Sequence, residues 1–189
     1  MSVWIWVVIG LVVLGVLAFA LYRWMASRRL QDRFGPEYDR AVAETGSRRS
    51  AEGELRERQK RLSQLDIKEL SPESRDRYRM NWMQIQAAFV DRPAQSVRQA
   101  DDLISMVMRE RGYPVDDFEQ RAADVSVDHP DVVDNFRAAH AISLASDHEM
   151  ASTEDLRQAM VHYRALFQEL VGTSPAEDPT STETPRQAS

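Results

Sequence analysis

Residues 3–22 read VWIWVVIGLVVLGVLAFALY and contain no charged side chain. At about 1.5 Å of rise per residue, about 20 residues of helix cross a hydrocarbon layer of about 30 Å. A helix that is apolar on every side belongs in a protein core or in lipid, and this one reads as an N-terminal transmembrane helix. Trp4 and Trp6 lie near one end, Tyr22 and Trp24 near the other, where amphipathic rings favour the membrane–water boundary. Gly10 and Gly15 are five apart, which is not the four-residue spacing of small residues that lets two membrane helices approach.

The flanks predict an orientation. Met1 and Ser2 precede the apolar run, whereas Arg23, Arg28, Arg29 and Arg33 follow it. Positive charge is retained on the cytoplasmic side, so the expected topology is single-pass in the inner (plasma) membrane, N-terminus out and the rest of the chain cytoplasmic. The same arginines suit anionic lipid headgroups, although setting topology is their simpler role. Trp4, Trp6, Tyr22, Arg23, Trp24, Arg28, Arg29 and Arg33 are thus the membrane-flanking residues. The alternative is secretion after cleavage near Ala20, since Ala18-Phe19-Ala20 has the small-x-small look of a processing site. The length of the apolar run, and the lack of Lys or Arg before Val3, argue against it.

Beyond the anchor (residues 1–22), charge divides the chain of 189 residues. Residues 23–61 hold eleven Arg or Lys against seven Asp or Glu, and residues 62–189 hold thirteen against twenty-three. The net charge of -6 argues against a general nucleic-acid binder. There is no Cys, hence no disulfide, thiolate metal site or Cys nucleophile.

Residues 23–70 read as a basic juxtamembrane segment and a charged helical stalk. Phe34-Gly35-Pro36 breaks a continuous helix, and Thr45-Gly46-Ser47 interrupts or caps the next one. Residues 48–65, RRSAEGELRERQKRLSQL, offer only Leu55, Leu62 and Leu65 as large apolar side chains, enough for a short coiled-coil seam at most. The pairs Glu54–Arg58 and Glu57–Arg61 suit a solvated helix at about 0.3 kcal/mol each. No aromatic ring punctuates the segment, so no nucleic-acid surface is expected.

Residues 71–171 predict an all-α bundle of about five helices. Ser71-Pro72 is a helix start, followed by Tyr78, Trp82, Ile85 and Phe89 at helical spacing. Pro93 begins a second helix that stops at Gly112. Phe118, Ala122 and Val125 mark a third, and Pro130 opens a fourth with Val133, Phe136, Ala139 and His140. Ser152-Thr153-Glu154-Asp155 resembles a capping box before Leu156, Ala159, Met160, Tyr163, Leu166, Phe167 and Leu170. Residues 172–189 are rich in Pro, Ser and Thr and predict a disordered tail.

The stretch 111–124, RGYPVDDFEQRAAD, with Val127-Asp128-His129-Pro130, Tyr163-Arg164-Ala165-Leu166-Phe167 and the earlier 33–39, RFGPEYD, resembles a group of bacterial proteins with one N-terminal span and a helical domain. The resemblance covers about residues 20–171. It implies architecture, and brings no activity, cofactor or site.

Candidate chemistry is sparse. His129, His140, His148 and His162 are never three or four apart, so no single helix presents a metal pair. His140 reads as a core histidine, and Asp128 as a cap beside His129 at a helix start. Nucleotide, zinc-protease and serine-hydrolase motifs are missing from the sequence, and no catalytic, cofactor-binding or metal residue is predicted. The expected function is a membrane-tethered, non-catalytic interaction or scaffold module, with the lipid bilayer and a protein partner or second copy as partners. The alternatives are an envelope or stress-related structural protein and, third, an enzyme.

Overall fold

Eight helices and no strand make up the described residues of the computed structural model, which describes residues 3–172. The fold class is all-α as the sequence implies. The tail expected over 172–189 lies, past Gly172, outside the described residues. The chain divides into two compact units. One joins the chain up to Asp66 with Asp116–Asp134; the other joins Ile67–Val115 with the chain from Asn135 onward.

In the first unit, α1 (Val3–Phe34) runs unbroken through the apolar segment and three turns beyond it. It is long and apolar enough, by length and composition, to cross a membrane. Its apolar side chains from Trp6 to Met25 are exposed, whereas Leu30 and Phe34 are buried. Gly35 then turns the chain into α2 (Pro36–Thr45) with φ 47° and ψ -124°, a conformation that L side chains rarely adopt. Pro36 occupies the first helical position, where a missing N–H costs nothing. Gly46 closes α2, its N–H bonded to the Val42 carbonyl, and α3 (Arg48–Leu62) returns alongside. α6 (Phe118–Asp128) completes the unit, with Asp117 accepting the Gln120 N–H as its cap at 2.8 Å.

The segment expected to be a solvated stalk is packed. Ala51 and Leu55 are fully buried and Leu62 nearly so, against α2 and α6. Arg58 and Arg61 of this helix pair with carboxylates of α2 and α6, while Arg48, Arg49, Arg56, Glu57 and Lys60 stay exposed. α6, expected among the bundle helices, packs on α3 and α1.

The second unit consists of α4 (Pro72–Ala88), α5 (Pro93–Arg111), α7 (Val133–Asp147) from Asn135 onward, and α8 (Thr153–Val171). Ser71 caps α4 by accepting the Ser74 N–H at 3.1 Å. Gly112, at φ 98°, ends α5 in the left-handed region as its sequence position implies. Ser152 and Asp155 form the reciprocal capping box of α8. The α8 stripe from Leu156 to Leu170 is buried, largely against α5. Trp82 stacks on Phe167 with centroids 4.9 Å apart and planes 15° apart. The fourth helix does not open at Pro130. Residues 130–132 form a turn, with the Val132 N–H on the His129 carbonyl, and the helix starts at Val133.

Candidate functional site

Beyond the apolar run, Tyr22, Ala26, Arg29 and Arg33 follow one another at four, three and four residues, so they share one face of α1. Across from it α3 presents Arg56 and Gln59. Together with Met25 and Leu30 these side chains line an open groove of about 520 Å³ in the first unit. Arg29 is exposed. Arg33 lies 3.8 Å from Asp128 at the end of α6, a long and half-exposed pairing. Arg56 gives one guanidinium nitrogen, Nη2, to Glu52 at 2.9 Å, and half of its side chain stays in water.

Glu52 orients that arginine. It is buried, and it accepts hydrogen bonds from the Ser27 hydroxyl of α1 and, at 3.4 Å, the Tyr38 hydroxyl of α2. Burial alone would raise its carboxyl pKa. The Ser27 hydroxyl, the Arg56 guanidinium and the Tyr38 hydroxyl outweigh burial and hold it below its ordinary value.

The same unit holds a second, partly buried charged cluster. Arg58 of α3 donates to Glu37 of α2 at 2.7 Å, to Glu54 one turn earlier, and to Ser126 of α6 at 3.4 Å. Arg61 reaches Asp124 of α6 at 3.3 Å rather than its sequence neighbour Glu57, and Gln120 donates to both oxygens of Asp124 at 2.9 Å. Asp124 is fully buried, so its oxygens need those donors.

Of the residues expected to flank a membrane, Tyr22, Arg29 and Arg33 come together in the groove. Arg28 instead lies over the Trp24 ring at 4.3 Å, and Arg23 lines no part of it. Trp4 and Trp6 stand exposed near the far end of α1, about 25 Å from Tyr22 by helical rise. The sequence reading missed Arg56, Glu52 and Gln59. Their signal is the Glu52–Arg56 spacing of four, which is indistinguishable in the sequence from an exposed pair.

The histidines are dispersed. Asp128 and His129 end α6 rather than beginning the next helix, with the His129 N–H on the Val125 carbonyl at 2.8 Å. His140 Nδ1 lies 3.9 Å from Asp101, which accepts the Tyr163 hydroxyl at 2.9 Å. His162 Nδ1 is 2.7 Å from the Asn135 side-chain oxygen, and His148 is exposed beyond α7. Among the described residues no three His, Asp or Glu side chains converge as metal ligands. No protein-family model, curated protein or solved structure matches the chain.

Proposed function

We propose that the protein is a single-span membrane protein of the inner (plasma) membrane whose helical part serves as a non-catalytic interaction or scaffold module on the cytoplasmic face. The observation behind this reading is the double use of α1. Its apolar side chains from Trp6 to Met25 face outward, which water does not tolerate over so large a surface. The same helix then buries Leu30 and Phe34 among α2, α3 and α6. Anchor and folded unit thus share one element, as befits a module held at a fixed place on a membrane. The arginines after Tyr22 favour the cytoplasmic orientation. Met80 and Met83 on α4 and Met106 on α5 are exposed, and flexible thioethers suit an adaptable contact surface.

Alkaline extraction of membranes and a C-terminal reporter test the anchor and its orientation. Retention in the pellet with a cytoplasm-active reporter is expected. An intact mass beginning at Leu21 would establish the cleaved form instead. Photo-crosslinking residues placed at Met80, Met83 and Met106 in cells test the interaction reading. A discrete adduct, with a second copy or another protein, is expected; no adduct at any of the three positions refutes it.

A further inference from the structure

We infer that the groove between α1 and α3 binds the phosphodiester headgroup of an anionic phospholipid, with Arg29 and Arg56 as its principal donors. This rests on the membrane-anchor reading and adds a defined lipid site to it. The groove begins at Tyr22, the last residue of the apolar run, so its mouth lies where headgroups begin. Arg29 is seven residues further, about 10 Å along the axis, and helical side chains lean back toward the N-terminus. Its guanidinium therefore reaches the phosphate layer.

Arg56 supplies the feature that separates a site from a mere basic flank. It comes from another helix, and its one bond to buried Glu52 fixes its direction while engaging a single nitrogen of the five-donor fork. Glu52 is itself fixed by Ser27 of α1, so the groove's two walls are tied together directly behind the arginines. Such planar forks match phosphate oxygens in pairs. Arg33 adds charge at the inner end, shared with Asp128, while Met25, Leu30 and the Tyr22 ring give an acyl chain an apolar way out toward the bilayer. The carboxylates of Glu52 and Asp128 lower the positive charge to one that suits a single phosphodiester rather than a polyanion.

The test is native mass spectrometry of the full chain in mild detergent, titrated with equal amounts of phosphatidylglycerol and phosphatidylcholine. The native chain should favour phosphatidylglycerol by about fivefold, equivalent to about 1 kcal/mol. Arg56→Gln and Arg29→Gln should each bring the ratio close to one. Arg29 makes no ion pair among the described residues, so the second variant keeps the test valid if the first disturbs packing. Arg28→Gln removes the same charge at the same depth, outside the groove, and should leave the preference intact. Equal loss in Arg28→Gln would reduce the effect to general juxtamembrane charge and overturn the site. Displacement of the lipid by excess inorganic phosphate would assign the groove to free phosphate and also overturn it. Alkaline extraction of the same variants keeps the two readings apart. A chain that stays in the membrane without lipid preference refutes only the headgroup site, and a chain released from the membrane refutes the anchor.

Discussion

Glu37 of α2 and Arg58 of α3 are 21 residues apart in the chain and 2.7 Å apart in space, with 1% and 10% of their side chains exposed. A buried ion pair of this kind contributes little net stability over an apolar pair, but removing one member strands a charge. Arg58→Met should therefore cost about 3–5 kcal/mol in denaturant unfolding, while Glu37→Met with Arg58→Met should recover most of that loss. Equal losses in the single and double variants would show that shape at these positions matters more than charge.

The partnership of α6 with α3 decides where the chain can be cut. In a fragment of residues 70–172, Ala122, Val125 and Asp124 of α6 lose the packing and the Arg61 bond that α3 provides. Hydrogen exchange over residues 118–128 should be at least about tenfold faster there than in a fragment of residues 23–172. Equal protection in both would mean that α6 holds its structure without α3.

Stacking of Trp82 on Phe167 joins α4 to α8 in the second unit. Trp82 is 5% exposed, so Trp82→Ala should cost about 3–5 kcal/mol, and Trp82→Phe much less. Urea titration followed by circular dichroism reads both.

Glu52 makes the first unit sensitive to acid. Its folded pKa lies below the ordinary value, so the stabilisation is complete above the unfolded pKa and fades as pH falls through the folded one. Stability of the native chain should decline from about pH 5 downward more steeply than that of Glu52→Gln, which has no carboxylate to protonate there. Parallel slopes would indicate that other carboxylates dominate the acid limb.

Gly35 holds φ 47°, and a Cβ placed there would meet no atom within 4 Å, so any cost of a side chain is conformational. Gly35→Ala should destabilise the first unit by about 1–3 kcal/mol. A neutral result by thermal unfolding would mean that α1 and α2 can join at another angle.

The elements legible in the sequence are those whose signals are local. Ser71 and Ser152 cap the helices they precede because a short polar side chain reaches an N–H three residues on, whatever the rest of the fold does. The stripe of α8 is legible for the same reason. The charged segment 48–65 was not, because Glu54 and Arg58 four apart look alike in water and in a core. What pairs with Arg58 in the core is Glu37, 21 residues before it, and the sequence marks no such partner. His129 and Pro130 misled in another way. Proline suits a helix start, but here it follows a helix end and leads into a turn. The groove was half legible: Tyr22, Arg29 and Arg33 stand at spacings that share one helical face, and Arg56 joins them only through the return of α3.

Because α1 runs unbroken from its apolar residues to Phe34, the chain first leaves the helix at Gly35, after Leu30 and Phe34 have already joined the first unit. The helix therefore acts as a torsional shaft. Each residue added between Tyr22 and Ala26 would swing α2, α3 and α6 around the anchor axis by about 100° and lift them by about 1.5 Å. If the apolar stretch spans a bilayer, as proposed, the azimuth of the first unit about the membrane normal is set by residue count.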